Sequence, residues 1–89
     1  MALNIDKARD IFKSCEYVLC NGDIYACRLS SDGLNLKLYL SKSATVVRVI
    51  LRIRDAEDLG GHWLMRDLRY NYRIKPINLT YIIPSHEPK

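Results

Sequence analysis

The spacing of apolar residues near the N-terminus predicts an amphipathic helix over residues 4–20. Five apolar residues follow one another at steps of three or four, which places them on one helical stripe: Ile5, Ala8, Phe12, Cys15 and Leu19. Asn4 is predicted as the N-cap. Asn21-Gly22 is predicted to end the helix, because glycine adopts the left-handed backbone conformation at little cost.

Alternating apolar and polar residues on both sides of Asp32-Gly33 predict a β-hairpin over residues 23–41. Asp-Gly is favoured in two-residue type I′ turns, and such a turn sets the register of the two strands. The register predicts three inner-face pairs, namely Leu29–Leu36, Cys27–Leu38 and Tyr25–Leu40. On the outer face it predicts two further pairs, Arg28–Lys37 and Ala26–Tyr39.

The sequence VVRVILRIRD predicts a third strand over residues 45–54. Its inward set is Val47, Val49, Leu51 and Ile53, and its outward set carries three arginines. The acidic stretch DAEDLGG at residues 55–61 then indicates a polar loop or a single helical turn that ends at two glycines.

Residues 62–69 are compatible with either a helix or a strand. From Leu68 onward, apolar and polar residues alternate as in a strand, and Pro76-Ile77 predicts a turn into a last strand. This second hairpin would form three pairs on one face: Ile74–Leu79, Tyr72–Tyr81 and Tyr70–Ile83. Residues 84–89 are predicted to be a flexible tail.

Together these elements predict a single α+β domain over residues 1–89. The N-terminal helix would pack on one face of an antiparallel sheet of about five strands, in the order α-β-β-β-β-β. A chain of 89 residues is long enough to bury one core without metal or disulfide crosslinks.

Composition indicates an ordinary globular protein with a modest positive charge. The net charge is +4 and the pI is about 9.1, which favours negatively charged partners. Three cysteines, an odd number, argue against a disulfide framework. Neither a signal peptide nor an apolar run of membrane-spanning length is expected, so we predict a cytoplasmic protein with reduced cysteines and no membrane partner.

The outward face of the predicted sheet is rich in arginine, and it is the predicted site for nucleic acid or another partner. The predicted site residues are Arg28, Lys37, Tyr39, Arg48, Arg52, Arg54, Arg69, Arg73 and Lys75. Arginine binds phosphate through two hydrogen bonds, and a tyrosine among arginines offers a surface on which bases stack. Arg28 opposite Lys37 costs some stability, which a sheet can tolerate in water but which is better explained if an anion normally lies between them. The last three cations belong to this face only if the second hairpin continues the same sheet.

Two alternatives remain open for this face. It is either an ordinary solvated surface, with the acidic loop neutralising Arg52 and Arg54, or a protein-interaction surface. Val46 and Ile50 among arginines are typical of the latter. The partner would then be an acidic protein surface or a second copy of the chain, with the protein acting as an adaptor or as an inhibitor of a larger enzyme, such as a phage- or plasmid-type accessory protein.

No motif predicts catalysis, a metal or a cofactor. The spacings of Cys15, Cys20 and Cys27 do not match paired zinc ligands, and Cys20 with His62 lacks a local nucleophile motif. Gly60-Gly61 is not followed by the Lys and Ser/Thr of a phosphate-binding loop. We therefore predict a non-enzymatic binding domain with no cofactor.

Overall fold

The computed structural model describes residues 2–67 and 70–77, which form one helix and a seven-stranded antiparallel sheet. The helix α1 is Ala2–Lys13. The strands are β1 (Tyr17–Cys20), β2 (Asp23–Leu29), β3 (Asn35–Tyr39), β4 (Val49–Arg52), β5 (Ala56–Asp58), β6 (Trp63–Arg66) and β7 (Asn71–Ile77). Their spatial order is β4-β3-β2-β1-β7-β6-β5.

The helix packs on the sheet, which confirms the α+β class and the helix-on-sheet arrangement. The predicted number of about five strands is wrong, because the sheet has seven. A 3-10 turn, Ile53–Asp55, joins β4 to β5. Because β4 and this turn approach β6, the sheet curls nearly into a barrel.

The first helix is shorter than predicted and begins earlier, so the predicted N-cap at Asn4 is wrong. Residues 17–20 form β1 instead of the last helical turn. Asn21-Gly22 closes the hairpin between β1 and β2, with φ of 49° and 94°. Positive φ at both positions is what a type I′ turn requires, and Asn-Gly is its preferred dipeptide. Tyr17 and Val18 also favour a strand over a helix.

The register of the hairpin formed by β2 and β3 is confirmed. Cys27 pairs with Leu38 and Arg28 pairs with Lys37. The predicted type I′ turn is wrong, because Gly33 alone of the dipeptide has a positive φ, 74°. The predicted pairing of Tyr25 with Leu40 is also wrong, since β3 ends at Tyr39 and Leu40 is exposed.

The third predicted strand is shortened to β4, Val49–Arg52, so residues 45–48, including the predicted inward residue Val47, lie outside the sheet. Val49, Leu51 and Ile53 still pack against the core, as predicted. The acidic stretch is not only a loop, since Ala56–Asp58 forms the edge strand β5. β5 is the last strand in the spatial order and pairs only with β6.

Residues 63–66 are a strand, β6, and the predicted turn at Pro76-Ile77 is wrong. Both residues belong to β7, where Pro76 pairs with Val18 and Ile77 pairs with Tyr17. Pairing between β6 and β7 ends at Ile74, so the missing N–H of Pro76 interrupts no hydrogen bond to β6. The predicted partners Leu79, Tyr81 and Ile83 and the tail 84–89 lie outside the described residues.

The core lies between α1 and the concave face of the sheet. Phe12 of α1 is fully buried and meets Trp63 of β6 edge-on, with ring centroids 6.0 Å apart. Leu36, Leu38, Met65 and other buried side chains from the strands complete this cluster. Within residues 2–67 and 70–77, no helix is long and apolar enough to cross a membrane.

Candidate functional site

Arg28 lies opposite Lys37 on the outward face of the sheet, but its guanidinium group is held by other residues. It stacks over the ring of Tyr39 at 4.7 Å from the ring centroid. It also donates a hydrogen bond to the carbonyl oxygen of Lys42 at 2.6 Å. These contacts stabilise Arg28 beside a second cation, so the pairing with Lys37 does not require a bound anion.

Tyr39 is not available for base stacking. The side chain is only 6% exposed, and Arg28 covers the ring. A base could reach this ring only after Arg28 had moved. The predicted stacking role of Tyr39 is therefore incompatible with its burial, and Tyr39 is better described as the platform that positions Arg28.

Lys37 and Arg48 lie near β4, where several apolar side chains are also exposed. Neither cation forms an ion pair with a carboxylate of the described residues. The N–H of Arg48 donates to the carbonyl oxygen of Leu38 at 2.8 Å, which holds the Arg48 backbone beside β3, directly before β4. We call the surface formed with the neighbouring exposed side chains the β4 patch; its members are Lys37, Val46, Arg48 and Ile50.

Arg52 and Arg54 do not extend this patch as a cationic stripe. Arg52 forms an ion pair with Asp55, in which Nε lies 2.7 Å from Oδ2. Arg54 belongs to the 3-10 turn and lines a groove beside α1 together with Ile5 and Arg9. The acidic stretch therefore neutralises Arg52, as one alternative interpretation of the sequence allowed, whereas Arg54 faces another part of the surface.

Arg73 and Lys75 converge in a shallow pocket of about 470 Å³ on the outward face of the sheet. We call it the glycine pocket. Its other lining residues come from the tip of the β1–β2 hairpin, the β5–β6 loop and β1: Leu19, Asn21, Gly22, Gly60, Gly61 and His62. No acidic side chain lines this pocket among the described residues, and Arg73 and Lys75 form no ion pair with any of them.

The strand pairing explains how the glycine pocket forms. Arg73 and Lys75 are two residues apart on β7, so both side chains lie on the same face. Lys75 pairs with Leu19 of β1, and Arg73 pairs with Leu64 of β6. The pairing brings the β1–β2 turn to one side of β7 and the β5–β6 loop to the other.

The glycines of the two loops have open space beside them. A Cβ atom placed on Gly22, Gly60 or Gly61 would meet no other atom within 4 Å. All three glycines have a positive φ, between 82° and 117°. Glycine lets a ligand approach the backbone closely, but the Gly60 N–H already donates to Oδ1 of Asp58 at 2.9 Å. Arg73 and Lys75, not this amide, are therefore the groups that suit a phosphate.

Sequence analysis predicted the two cations of the glycine pocket but not the pocket itself. In the sequence, Gly60-Gly61 is not directly followed by the lysine of a phosphate-binding loop. In the fold, Arg73 and Lys75 of β7 supply positive charge beside these glycines. Sequence analysis named His62 only beside Cys20, as a candidate for nucleophile chemistry. The remaining predicted site residue, Arg69, lies outside the described residues.

The described cysteines and acidic residues offer neither an activated Cys20 nor a metal cluster. Burial raises the pKa of the Cys20 thiol to about 11, with a further contribution from the nearby Asp23, so its thiolate is scarce at neutral pH. Within residues 2–67 and 70–77, no group of three or more His, Cys, Asp or Glu side chains could hold a metal ion. No protein-family model, curated protein or solved structure matches this chain, so its geometry is the basis for any functional assignment.

Proposed function

We propose that this domain binds nucleic acid or another polyanion through the outward face of its sheet. The glycine pocket is the observation that carries this proposal. Arg73 and Lys75 project from neighbouring positions of a central strand, lack acidic partners among the described residues, and lie beside loops that leave room for a phosphate. Arginine and lysine are the usual phosphate ligands of such surfaces.

The β4 patch extends the proposed surface on the same face of the sheet. Lys37 and Arg48 are its cations, and Arg28 lies next to them. Lys75 is separated from β2 only by β1, a lateral distance of about 10 Å at the usual spacing of neighbouring strands. A polyanion that enters the glycine pocket would therefore continue toward β2 and the β4 patch. Contacts of this type are made to phosphates and carry little sequence specificity.

The test is a titration of a labelled single-stranded oligonucleotide at two salt concentrations. The variant Arg73→Ala/Lys75→Ala removes the two cations of the glycine pocket. The matched control is Arg52→Ala/Arg66→Ala, which changes the net charge equally. In the control, both arginines are already engaged, Arg52 with Asp55 and Arg66 with Glu57 at 3.2 Å.

Wild-type affinity should fall as salt rises. The pocket variant should weaken binding more than the control, and its salt slope should be smaller by about 0.7 for each phosphate that the variant no longer neutralises. Salt-independent binding would contradict the proposal. Equal decreases in affinity for the two double variants would mean that binding depends on net charge alone and that the glycine pocket is not the binding site.

A second candidate function, a protein-interaction module, is favoured by the apolar members of the β4 patch. Val46 is 70% exposed and Ile50 is 54% exposed, and both lie next to Arg48. β4 also stands at one end of the strand order, where its backbone is paired on one side. Aliphatic side chains and an arginine at an edge strand suit a partner with apolar and acidic groups, or a second copy of the chain.

Sedimentation over a wide range of protein concentration tests self-association, with Ile50→Asp as the variant. Under this alternative, the wild type dimerises as its concentration rises and the variant stays monomeric. Leu59→Asp is the matched control, because Leu59 is also exposed but lies in the β5–β6 loop. A wild type that stays monomeric throughout would exclude the second-copy version of this function.

A further inference from the structure

Cys15 and Cys27 lie close together although they belong to different elements. Their sulfur atoms are 3.7 Å apart. Cys15 lies in the link between α1 and β1, and Cys27 lies on the core face of β2. The N–H of Cys27 donates to the carbonyl oxygen of Glu16 at 3.0 Å, which ties the link to β2 at the position of the two thiols.

The hydrogen bonds make the two thiols chemically different. The Cys27 thiol donates to the Cys15 sulfur and also lies 3.3 Å from the carbonyl oxygen of Cys15. The hydrogen bond from Cys27 lowers the pKa of Cys15 to about 7, against the opposing effect of burial. The same hydrogen bond and burial raise the pKa of Cys27. Cys15 is therefore the more acidic thiol of the pair, although in its protonated form it donates to the carbonyl oxygen of Tyr17 at 2.8 Å.

The pair is accessible from the surface through a groove beside α1. Cys15 is partly exposed, while Cys27 is buried beneath it. Arg9, Lys13 and Asp32 line the same groove, whereas the Arg28 guanidinium group lies on the outward face over Tyr39. Partial exposure is typical of reactive cysteines, whereas structural cysteines are buried and inert.

We propose that Cys15 and Cys27 form a redox modification site, at which hydrogen peroxide converts the two thiols into an intramolecular disulfide. The Cys15 thiolate attacks one oxygen of the peroxide, the O–O bond breaks, and the leaving hydroxide is protonated to water. Cys15 is then a sulfenic acid. Cys27 attacks the Cys15 sulfur, the S–S bond forms, and the hydroxyl group leaves as a second water with the Cys27 proton. Two thiols are oxidised by two electrons and one peroxide is reduced.

The movement required is small and falls on the link. A disulfide needs a sulfur separation of about 2.05 Å, so the atoms must approach by less than the width of one atom. Cys27 is fixed in β2 between β1 and β3, whereas Cys15 belongs to a segment outside regular structure. Cys20 is the natural internal control, because it is buried in β1 and burial raises the pKa of its thiol.

The experiment is mass spectrometry of the folded protein after treatment with hydrogen peroxide, with and without later reduction by dithiothreitol. Trypsin would leave all three cysteines in one peptide, residues 14–28, because no Lys or Arg lies between Lys13 and Arg28. Cleavage after Glu16 and before Asp23 separates them. The expected product is a dithiothreitol-sensitive crosslink between the fragment that ends at Glu16 and the fragment that begins at Asp23.

Three single variants complete the design. Cys20→Ser should form the same crosslink as the wild type, and Cys15→Ser should form none. Cys27→Ser should accumulate a sulfenic acid on Cys15, which dimedone would label. Circular dichroism establishes that each variant is folded, and Cys20→Ser keeps the test valid if another variant is not. Crosslinks through Cys20, or overoxidised thiols without the Cys15–Cys27 disulfide in both wild type and Cys20→Ser, would overturn the proposal.

Discussion

The side chain of Asn21 binds the backbone of β7 beside Arg73. Its Oδ1 accepts a hydrogen bond from the Arg73 N–H at 2.9 Å, and the Asn21 N–H donates to the Arg73 carbonyl oxygen at 3.1 Å. Its Nδ2 donates to the carbonyl oxygen of Asn71 at 3.3 Å. The residue that turns the chain from β1 to β2 thus also extends the pairing of β1 with β7.

Substitution of Asn21 should therefore destabilise the domain, with alanine worse than glycine. Asn21→Ala loses both side-chain hydrogen bonds, and alanine tolerates φ 49° less well than asparagine, so we expect the free energy of unfolding to fall by about 1–3 kcal/mol. Asn21→Gly loses the same hydrogen bonds but adopts this φ freely, and should cost less. Urea unfolding of the two variants and the wild type measures both differences. An Asn21→Ala variant as stable as the wild type would contradict this role.

The contact between Phe12 and Trp63 attaches α1 to the sheet. Phe12 is fully buried and its ring meets the edge of Trp63, so Phe12→Ala should lower the free energy of unfolding by about 3–5 kcal/mol. That is a large part of the total expected for a domain of this length, about 4–13 kcal/mol. Urea unfolding followed by Trp63 fluorescence measures it.

Leu40→Ala is the matched control for Phe12→Ala. Leu40 is apolar but 60% exposed, so its truncation should change the free energy of unfolding by about 0.5 kcal/mol at most. Similar decreases in the two variants would mean that α1 does not depend on its packing against Trp63.

Local patterns predicted the β2–β3 hairpin well, because its turn and its strands lie in one continuous segment. The alternation around Asp32-Gly33 was enough to place Arg28 opposite Lys37. The boundary between α1 and β1 was not predictable in the same way. Cys15 and Leu19 continue the helical spacing by coincidence, and Asn-Gly suits both the end of a helix and a type I′ hairpin, since each uses the left-handed conformation.

The glycine pocket could not be derived from local patterns, because it depends on contacts between distant parts of the chain. Leu19 of β1 meets Lys75 of β7, and this pairing brings Gly22 near Gly60. Sequence alternation did predict that Arg73 and Lys75 share a face. The signal that could have suggested the site was the glycine pair 60–61, followed on a later strand by the alternating cations Arg73 and Lys75. This signal does not specify which strands are neighbours.

Acid should weaken the attachment of α1 to β5 through Asp58. Hydrogen bonds from the Lys7 ammonium group and from the Gly60 N–H lower the pKa of Asp58 below its ordinary value of 3.8. A lowered pKa in the folded state means that this contribution is present above pH 3.8 and is lost as the pH falls through the folded-state value. The pair is exposed, so the effect should be small.

Urea midpoints as a function of pH, for wild type and Asp58→Asn, test the effect of Asp58. The variant lacks this titration, so its stability should fall less steeply below pH 3.8 than that of the wild type. Asp32→Asn is a useful comparison, because the pKa of Asp32 is also lowered, but chiefly by the Ser30 hydroxyl group rather than by Lys7. Parallel curves for wild type and Asp58→Asn would show that Lys7 does not stabilise the folded carboxylate.

The rate of alkylation of Cys15 should depend on pH in a way that reveals its hydrogen bond from Cys27. Iodoacetamide reacts with the thiolate, so the wild-type rate at Cys15 should reach half its maximum near pH 7. Cys27→Ala removes the main cause of the lowered pKa and should move this midpoint upward, toward the ordinary thiol value of 9.0. Cys20→Ala, which removes a thiol that is not hydrogen-bonded to Cys15, should leave the midpoint unchanged. Mass spectrometry of the fragment that ends at Glu16 measures the rate at Cys15 alone, and a midpoint that does not move in Cys27→Ala would mean that the two sulfur atoms are not coupled.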